Sequence, residues 1–362
     1  MQLSKSELKR YNRHIIMPEI GIKGQQKLKD AKVLVIGAGG LGCPVLQYLS
    51  AAGVGTIGIC DFDFVDESNL QRQILFDTGD IGKSKALIAK QKLAKQNPYI
   101  TFNVHDFKLD KSNALNLFKQ YDIIVDGSDN FPTRFLVNDA CVITGKPLVF
   151  GAIYKFEGQV SVFNYRSGPT YRCLVPEQPD SSEMLSCSQI GVIGVLPGII
   201  GAYQASEVIK IITGVGAPLI GKLLMIDTLG VTHNIIEFKR NEKTANITEL
   251  SDYGDFCTDE FPKVPQIKAD ELKQRLANNE NIFIVDIREK VLFEHFHIPG
   301  SINLQIADIL DSPELIPKDK TVVIVCQSGN NSLAIIDYLI ENNYKNVYNL
   351  EGGLNGWQII SD

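Results

Sequence analysis

Residues 33–42 decide the fold, and they have the sequence Val33-Leu34-Val35-Ile36-Gly37-Ala38-Gly39-Gly40-Leu41-Gly42. An aliphatic run typical of a buried strand leads directly into a glycine-rich loop, and a helical pattern follows the loop. Gly37, Gly39 and Gly42 have the GxGxxG spacing, in which glycine lets the backbone turn tightly and approach a ligand. Because the helix behind the loop presents unpaired N–H groups, the segment predicts a site for an adenine nucleotide.

Strand and helix patterns alternate on both sides of this loop. The strand patterns cover residues 32–36, 56–60, 121–125, 148–153, 159–164 and 222–227. Helical patterns cover about residues 41–52 and 83–96. The alternation predicts a parallel sheet wrapped by helices, to which 148–153 and 159–164 add an antiparallel hairpin. The predicted fold class is therefore α/β, with a Rossmann-like mixed sheet that has helices on both faces.

A second unit is expected at the C-terminal end, because 362 residues exceed the usual size of one domain. Residues 241–265 are polar and irregular and include Pro262 and Pro265, so they are predicted to link a domain over 1–240 to one over 266–362. Strand patterns in the second unit cover residues 282–286, 321–326 and 346–350, with a helix over about 332–341. These predict a small α/β domain.

Composition and charge narrow the classes of partner. A formal net charge of -6 argues against nucleic acid or an anionic membrane, because both attract an excess of Lys and Arg. The first ten residues lack the apolar core of a signal peptide and have a capping box at Ser4 and Glu7, which predicts a cytoplasmic protein. The seven cysteines form no CxxC pair, which favours reduced thiols. The apolar run 190–213 contains Gln204, Glu207 and Lys210, so buried helices are expected there.

Charged residues near the predicted strand ends indicate which chemistry the nucleotide site performs. They are Asp61, Asp63, Asn69, Arg72, Lys85, Asp129 and Asn130. Two cations and a carboxylate suited to Mg²⁺ are what attack on phosphorus needs, whereas hydride transfer needs none of them. Taken singly, Lys85 also fits a solvated surface lysine, and Arg72 and Asp129 also fit ordinary ion pairs. Their common position at the carboxyl ends of parallel strands favours one pocket.

Five ordered motifs resemble the MoeB/ThiF family of adenylyltransferases, which are related to ubiquitin-activating enzymes. They lie at residues 10–13, 37–42, 61–63, 68–73 and 128–130, and the resemblance covers about residues 8–238. It implies an ATP and Mg²⁺ site that adenylates the terminal glycine of a small ubiquitin-like sulfur-carrier protein ending in Gly-Gly. Catalysis is then expected to proceed by positioning and charge neutralisation.

The resemblance also implies a role for each matching residue. The nucleotide-binding positions are Arg13, Gly37, Gly39, Gly40, Gly42, Asp61, Asp63, Asn69, Arg72, Lys85, Asp129 and Asn130. Asp61 is expected to bind the ribose, and Asp129 to bind Mg²⁺. Asn69, Arg72 and Lys85 are expected to hold the triphosphate. Arg13 is expected to reach the phosphates of a neighbouring subunit, which implies a homodimer.

Cysteine usage departs from the family pattern at one place. Members often carry a structural zinc held by two CxxC pairs, but here Thr170 replaces one cysteine of the first pair beside Cys173 and the second pair is absent. We expect no structural zinc, since one thiolate cannot build a tetrahedral site. Cys187 matches the position of a family cysteine proposed to join the partner during sulfur transfer, although a buried bystander fits it equally well.

Residues from about 264 to 362 resemble a rhodanese domain. The markers lie at residues 285–289, 297–303, 326–332 and 351–357. Cys326 ends an aliphatic strand and opens a short loop into a helix, where backbone N–H groups can stabilise a thiolate or a persulfide. Asn331 stands where many single-domain rhodaneses have an arginine, which favours a persulfide-donating protein over a small anion as the sulfur source. Cys326 and Cys187 are thus the candidate sulfur-handling residues, beside Arg72, Lys85 and Asp129 for adenylation.

Several alternatives remain open. The molybdopterin-type carrier is favoured by residues 10–13 and the Gln-Arg-Gln run at 71–73, and the thiamine-thiazole carrier is the alternative substrate. An NAD-dependent oxidoreductase and a non-catalytic docking scaffold are the alternatives of another class. A cyclic-amide-forming relative that acts on modified tRNA is disfavoured by the fused sulfur domain.

Overall fold

The computed structural model describes residues 2–178, 191–253, 264–327, 329 and 331–359. The chain divides into two units, residues 1–256 and 257–362. The predicted linker, 241–265, falls across the border between them. Each unit contains a sheet of its own.

The first unit is built on one mixed sheet. Its strands are β1 Lys32–Ile36, β2 Thr56–Cys60, β3 Thr101–His105, β4 Ile123–Asp126, β5 Leu148–Tyr154, β6 Glu157–Phe163, β7 Lys222–Asp227 and β8 Thr232–Glu237. They lie in the order β3-β2-β1-β4-β5-β6-β7-β8. The pairs from β3 to β5 are parallel, and those from β5 to β8 are antiparallel. This confirms the Rossmann-like mixed sheet and the added hairpin.

Helices cover both faces of this sheet. They are α1 Lys5–Arg10, α2 Asn12–Ile15, α3 Gly21–Asp30, α4 Gly42–Ala52, α5 Lys85–Gln96, α6 Ala114–Phe118, α7 Phe131–Thr144, α8 Tyr171–Leu174, α9 Leu196–Thr213 and α10 Glu242–Ala245. Val33 and Val35 of β1 pack in a core with α4, α5 and α9. Leu34 and Ile36, which alternate with them, pack in a second core with α6 and α7. The period of two along a strand therefore places one core on each face.

The sequence prediction omits the two edge strands of this sheet and several of its helices, among them α3, α6 and α7. β3 buries fully only Phe102, and every residue of β8 is exposed, so neither shows the pattern of a buried strand. α7 is continuous over 14 residues and contains Pro132 in its first turn, where a missing N–H costs nothing. The apolar run predicted to be buried does form a helix, α9, which packs on α4. No helix of the described residues is long and apolar enough to cross a membrane.

The second unit has a smaller sheet in which every pair is parallel. Its strands are β9 Gln266–Ile267, β10 Ile282–Asp286, β11 Ile302–Asn303, β12 Thr321–Val325 and β13 Val347–Leu350, in the order β11-β10-β12-β13-β9. Its helices are α11 Ala269–Ala277, α12 Lys290–His295, α13 Ile306–Asp311, α14 Asn331–Glu341 and α15 Gly353–Ile359. Val322 and Ile324 of β12 face one core, and Val323 and Val325 face the other. The small α/β domain is thereby confirmed.

A buried carboxylate fastens residues 241–253 to the first unit. Asp139 on α7 accepts hydrogen bonds from Nε and Nη2 of Arg172, both at 2.8 Å, and from the Tyr253 hydroxyl at 2.8 Å. The Arg172 guanidinium also lies over the Phe135 ring, 4.7 Å from its centroid. Because Asp139 has no exposed surface, these donors compensate for burying its charge.

Cys173 lies in the same region, against the segment where the family resemblance would put the second pair of zinc ligands. Its sulfur accepts hydrogen bonds from the backbone N–H of Asn241 at 3.3 Å and of Thr170 at 3.4 Å. Burial opposes ionisation of Cys173, but these hydrogen bonds outweigh it and lower the pKa of the thiol. Hydrogen bonds therefore join the two segments here.

Candidate functional site

The glycine loop fits between the ends of β1 and β4 with no room for a side chain at Gly37 or Gly42. A Cβ on Gly42 would lie 1.9 Å from the carbonyl oxygen of Gly37, and a Cβ on Gly37 would lie 2.9 Å from that of Gly127. Gly37 also has a φ of +85°, in the region that favours glycine. The loop thereby passes directly into α4, whose first-turn N–H groups face the carboxyl edge of the sheet.

Asp61 joins the end of β2 to this loop. Its Oδ2 accepts a hydrogen bond from the backbone N–H of Ala38 at 2.6 Å, and its Oδ1 accepts one from Asp63 at 2.8 Å. Burial raises the pKa of Asp61, and these two backbone donors offset part of that effect. Each carboxylate oxygen keeps a lone pair, so Asp61 can accept hydrogen bonds from the hydroxyls of a ribose.

Lys85 and Asp63 form an ion pair beside Asp61. Lys85 Nζ lies 2.5 Å from Asp63 Oδ2, and the Lys85 side chain is 6% exposed while that of Asp63 is 59% exposed. A backbone bridge between Phe64 and Ser84 holds the two segments together. Lys85 is the first residue of α5, where both burial and the positive end of the helix disfavour a cation. A second anion, such as a phosphate, would therefore be favourable at this place.

The segment 67–73 covers the glycine loop from the other side. Asp66 caps the 3₁₀ helix Glu67–Asn69 by accepting a hydrogen bond from the Ser68 N–H at 2.8 Å. The carbonyl oxygen of Asn69 then accepts from the N–H groups of Arg72 at 3.0 Å and Gln73 at 2.9 Å. This turn directs Arg72 towards the loop, since its Cγ lies 3.6 Å from where a Cβ of Gly40 would be.

Gln73 is also turned towards the loop. Its Nε2 lies 3.7 Å from the Cβ position of Gly39, and its Oε1 is buried without a hydrogen-bond partner among the described residues. An orphaned buried acceptor is rare and indicates a missing water or ligand. The sequence motif includes Gln73, but sequence reasoning assigned it no role.

Asp129 and Asn130 follow β4 at the same edge of the sheet. Asp129 is exposed, and Asn130 caps α7 by accepting a hydrogen bond from Thr133 at 2.9 Å. Gly127, two residues before Asp129, contacts both Gly37 and Gly42. Asp129 therefore stands next to the glycine loop, with its carboxylate open to solvent.

Two buried residues beneath Asp129 were not anticipated from the sequence. Burial raises the pKa of Asp126, the nearby Arg134 lowers it in part, and Asp126 Oδ2 has no hydrogen-bond partner among the described residues. Arg134 Nη2 donates to the carbonyl oxygen of Ser128 at 3.4 Å. The sequence does indicate Asp126, because a carboxylate at the end of the aliphatic run Ile123–Asp126 is buried with the strand and its charge must then be compensated by a partner.

The structure thus brings most of the predicted nucleotide-site residues to one edge of the sheet. They are Gly37, Gly39, Gly40, Gly42, Asp61, Asp63, Asn69, Arg72, Lys85, Asp129 and Asn130. Arg13 is exposed on α2 and makes no described hydrogen bond or ion pair with this group. Cys187 lies outside the described residues.

Three of the described cysteines of the first unit are poor nucleophiles. Cys43, Cys60 and Cys141 are buried. Burial raises the pKa of Cys43 and of Cys60 to about 12 and also raises that of Cys141. Thiols of this kind behave as small apolar residues, because the reactive thiolate is absent at neutral pH.

Cys326 begins a tight loop at the end of β12 in the second unit. Its Sγ accepts a hydrogen bond from the Gly329 N–H at 3.1 Å and lies 3.3 Å from Ser332 Oγ. The loop is closely packed, since a Cβ on Gly353 would be 2.5 Å from both the Cys326 oxygen and the Gly329 nitrogen. Ser328 and Asn330 of this loop, and the side chain of Asn331, lie outside the described parts.

Arg288 is the cation that contacts this loop, and its charge is already paired. Its guanidinium donates to both carboxylate oxygens of the buried Asp286 at distances between 2.8 and 3.1 Å. Its Nη1 donates to Gln327 Oε1 at 3.0 Å. Arg288 therefore positions the loop through Gln327, and its pairing with Asp286 weakens its attraction for a free anion.

Among the described residues, no group of three or more His, Cys, Asp or Glu residues is placed to hold a metal ion. His297 hydrogen-bonds through Nδ1 to the carbonyl oxygen of Phe293 at 2.9 Å and stacks on its ring. An Mg²⁺ ion bound chiefly by substrate phosphates does not need such a group, because Mg²⁺ keeps several waters and uses one or two carboxylates.

Two family models match most of the chain. The model of the ThiF family matches residues 11–247, and the model of the rhodanese-like domain matches residues 268–359. The chain is 43% identical to "Probable adenylyltransferase/sulfurtransferase MoeZ" of Mycobacterium tuberculosis, over 98% of this chain and 94% of that protein.

Two further similarities cover part of the chain. The chain is 47% identical to "Sulfur carrier protein adenylyltransferase" of Thermus thermophilus, over 71% of this chain and 99% of that protein. The fold resembles that of E. coli MccB crystallised with AMPCPP and MccA, with a TM-score of 0.58 and 26% identity over 64% of this chain and 72% of that one.

The contacts around the glycine loop predict the effect of adding one methyl group there. Gly42→Ala is expected to abolish the thermal stabilisation that ATP with Mg²⁺ gives, because the new Cβ forces the loop away from Gly37. Ligand at 100 times its Kd stabilises a protein by about 2.7 kcal/mol, so the loss is measurable as an absent rise in Tm. Gly198→Ala in α9 is the control, since no atom lies within 4 Å of its Cβ position.

A second pair of variants covers the case in which Gly42→Ala does not fold. Lys85→Met should remove the ATP-dependent rise in Tm, whereas Lys83→Met, which changes an exposed neighbour, should retain it. Equal ATP-dependent shifts in Lys85→Met and in the wild type would contradict the assigned site.

Proposed function

The chain belongs to the ThiF family and carries a C-terminal rhodanese-like domain, and from this we propose that it makes the thiocarboxylate of a sulfur-carrier protein. ATP first adenylates the C-terminal glycine of a small ubiquitin-like carrier that ends in Gly-Gly, and sulfur then replaces AMP. The observation that supports this best is the position of Asp61, Arg72, Lys85 and Asp129 at the edge of the sheet that carries the glycine loop, in a chain that also has a cysteine in a tight strand-to-helix loop. We infer that residues 1–240 adenylate the carrier, that 266–362 handle sulfur, and that 241–265 connect them.

The first step is an attack on phosphorus. A carboxylate oxygen of the carrier forms a bond to the α-phosphorus of ATP, the bond to pyrophosphate breaks, and an acyl-adenylate results. Asp61 would hold the ribose, and Asn69, Arg72 and Lys85 would hold the triphosphate. Lys85 is suited to this role because a cation already desolvated loses little hydration when charge develops on the phosphate. Mg²⁺ held at Asp129 would supply further neutralisation of the leaving pyrophosphate.

The second step uses Cys326 as the sulfur carrier of the chain itself. A persulfide on Cys326 attacks the acyl carbon, AMP leaves with the electron pair of the broken C–O bond, and an acyl disulfide forms. A thiolate then attacks the Cys326 sulfur of that disulfide, and the thiocarboxylate leaves. Cys187 is our candidate for this thiolate, and a dithiol reductant must afterwards reduce the protein disulfide. A persulfide-donating protein is the proposed sulfur source, because the charge of Arg288 is already paired with Asp286.

An exposed apolar surface supports the docking of a protein partner. Tyr154, Phe156, Ile193, Leu229 and Val231 are exposed. These residues lie close together, because the carbonyl oxygen of Phe156 accepts hydrogen bonds from Thr228 and that of Lys155 accepts one from the Ile193 N–H. β5 is parallel to β4, so this surface lies at the same edge of the sheet as the glycine loop. A carrier bound there could extend its tail along the edge to the nucleotide.

A homodimer is proposed on different grounds. Arg13 is exposed and makes no described hydrogen bond or ion pair in its own subunit, although the family resemblance assigns it to a nucleotide site. A second subunit would let it reach the phosphates without any rearrangement of α2. The NAD oxidoreductase and the docking scaffold do not fit the family to which the chain belongs, so neither is pursued.

The position of Asp129 predicts a separation of the two half-reactions. Asp129→Ala should lower carrier-dependent ATP–pyrophosphate exchange by about 100-fold or more, because charge neutralisation at the phosphates is lost. Acceptance of sulfur by Cys326 should remain at the wild-type level. Asp106→Ala is the matched control, since Asp106 is an exposed aspartate that directly follows β3 at the same sheet edge. Exchange at the wild-type rate in Asp129→Ala would refute the assignment.

The apolar surface predicts a change in carrier affinity alone. Leu229, which is 70% exposed, becomes charged in Leu229→Asp, and KM for the carrier should rise about tenfold, since burial of one leucine is worth about 1.5–3 kcal/mol. KM for ATP should stay unchanged. Leu315→Asp alters an exposed leucine of the second unit and should change neither constant. An unchanged carrier KM in Leu229→Asp would place docking elsewhere.

The identity of the carrier is tested by direct comparison. We propose the molybdopterin type as the preferred substrate and the thiamine-thiazole type as the alternative. ATP–pyrophosphate exchange measured with each purified carrier should give a higher kcat/KM for the molybdopterin type. The reverse order would assign the chain to thiazole synthesis.

A further inference from the structure

A buried chain of polar side chains lies behind Cys326. Cys326, Ser332 and Asn349 are 3%, 0% and 2% exposed. Ser332 Oγ lies 2.5 Å from Asn349 Oδ1 and 3.3 Å from Cys326 Sγ. Asn349 belongs to β13 and Ser332 to the first turn of α14. A strand of the sheet and a helix therefore meet at this sulfur.

The orientation of the Asn349 amide is settled by its other neighbours. Its Nδ2 donates to the carbonyl oxygen of Gly329 at 2.9 Å and to Gln266 Oε1 at 3.1 Å. A backbone carbonyl oxygen only accepts, so the amide nitrogen must face Gly329 and the oxygen must face Ser332. Asn349 Oδ1 therefore needs the Ser332 proton.

Ser332 has a single hydroxyl proton and two possible acceptors. The much shorter contact is with Asn349, which leaves a lone pair of Ser332 Oγ directed at the sulfur. A protonated Cys326 can donate its S–H to that lone pair. The Gly329 N–H already donates to this sulfur, and the Ser332 hydroxyl becomes a second donor only by turning away from Asn349 Oδ1, which is then a buried acceptor without its donor and therefore costly.

We propose that Asn349 is a positioning residue for sulfur transfer, which holds the Ser332 proton away from Cys326 and so limits the number of hydrogen bonds that the Cys326 sulfur accepts. The proposal rests on the proposed function of Cys326 as sulfur acceptor. In loading, the Cys326 sulfur attacks the outer sulfur of a donor persulfide, the donor S–S bond breaks, and the proton of Cys326 goes to the departing donor thiolate. No further oxidant or reductant is needed.

Charged groups around the loop are the same in every variant considered. Asp286 and Arg288, at the end of β10, pair with each other and reach the loop through Gln327. Glu351, which follows β13, is exposed. A change in reactivity on altering Asn349 is therefore not an effect of altered charge.

The test measures the reactivity of Cys326 in the full chain. Alkylation by iodoacetamide is quantified on the Cys326 peptide by mass spectrometry between pH 5.5 and 9.5. Asn349→Ala should raise the rate at pH 7 by about tenfold and move the midpoint of the pH profile down, because the competing acceptor is gone. The limiting rate at high pH should be unchanged.

Two further variants separate this role from a structural one. In a Ser332→Ala background, Asn349→Ala should have no effect, since no hydroxyl proton remains to redirect. Gln266→Ala, which removes only the second acceptor of Asn349, should keep the wild-type profile. The fluorescence of Trp357, the single tryptophan, reports whether this unit is folded. If Asn349→Ala does not fold, Asn349→Leu is measured in its place.

The outcomes are decisive in both directions. An unchanged or slower rate at pH 7 in folded Asn349→Ala, or an effect that persists without the Ser332 hydroxyl, overturns the proposal. Sulfur acceptance in Cys326→Ser is measured separately. Retained acceptance there would defeat the proposed function, whereas lost acceptance with an unaltered alkylation profile in Asn349→Ala would defeat only this inference.

Discussion

The first unit depends on close backbone contact between three glycines, where the ends of β1 and β4 meet the start of α4. Gly42 lies so near the carbonyl oxygen of Gly37 that a side chain there is sterically excluded, and Gly127 closes the contact from β4. The contact aims the N-terminus of α4 at the sheet edge and leaves the Ala38 N–H free to bind Asp61. Side chains from the end of β2, from residues 67–73 and from α5 approach this loop. Their positions around it therefore depend on the glycine contact.

The Cys326 loop of the second unit also depends on close contacts made by glycines. Cys326 follows a parallel strand, and Gly329, at a φ of +85°, turns its N–H towards the sulfur. Gly353 allows the next segment to pack directly on that loop. In both units a loop between a parallel strand and a helix directs a backbone N–H to an electron-rich group, the Asp61 carboxylate in one case and the Cys326 sulfur in the other.

Local charge at the first site contrasts with the net charge of the chain. The chain is acidic overall, yet Arg72 approaches the glycine loop and Lys85 is held almost fully buried beside Asp63. Net charge therefore reports on bulk partners such as nucleic acid, while the site depends on a few charges in a region of low dielectric. Asp139 shows the same principle in a structural role, because its burial is compensated by Arg172 and Tyr253.

The sequence by itself determined the central strands of the first sheet, the presence of two units and the loop residues Gly37 to Gly42, because strand and helix periods and glycine spacing are local properties of the chain. It also indicated Asp61, Arg72 and Asp129, which stand at fixed offsets from strand ends. It could not show that Lys85 is buried, that Asp126 and Arg134 lie near Asp129, or that Asn349 and Ser332 are buried together beside Cys326. Those facts depend on contacts between residues far apart in the chain. Edge strands such as β8 also escape prediction, because they have no buried face and therefore no alternating apolar pattern. Only the tertiary structure decides which distant polar groups share a buried space and hence which proton or charge each must accept.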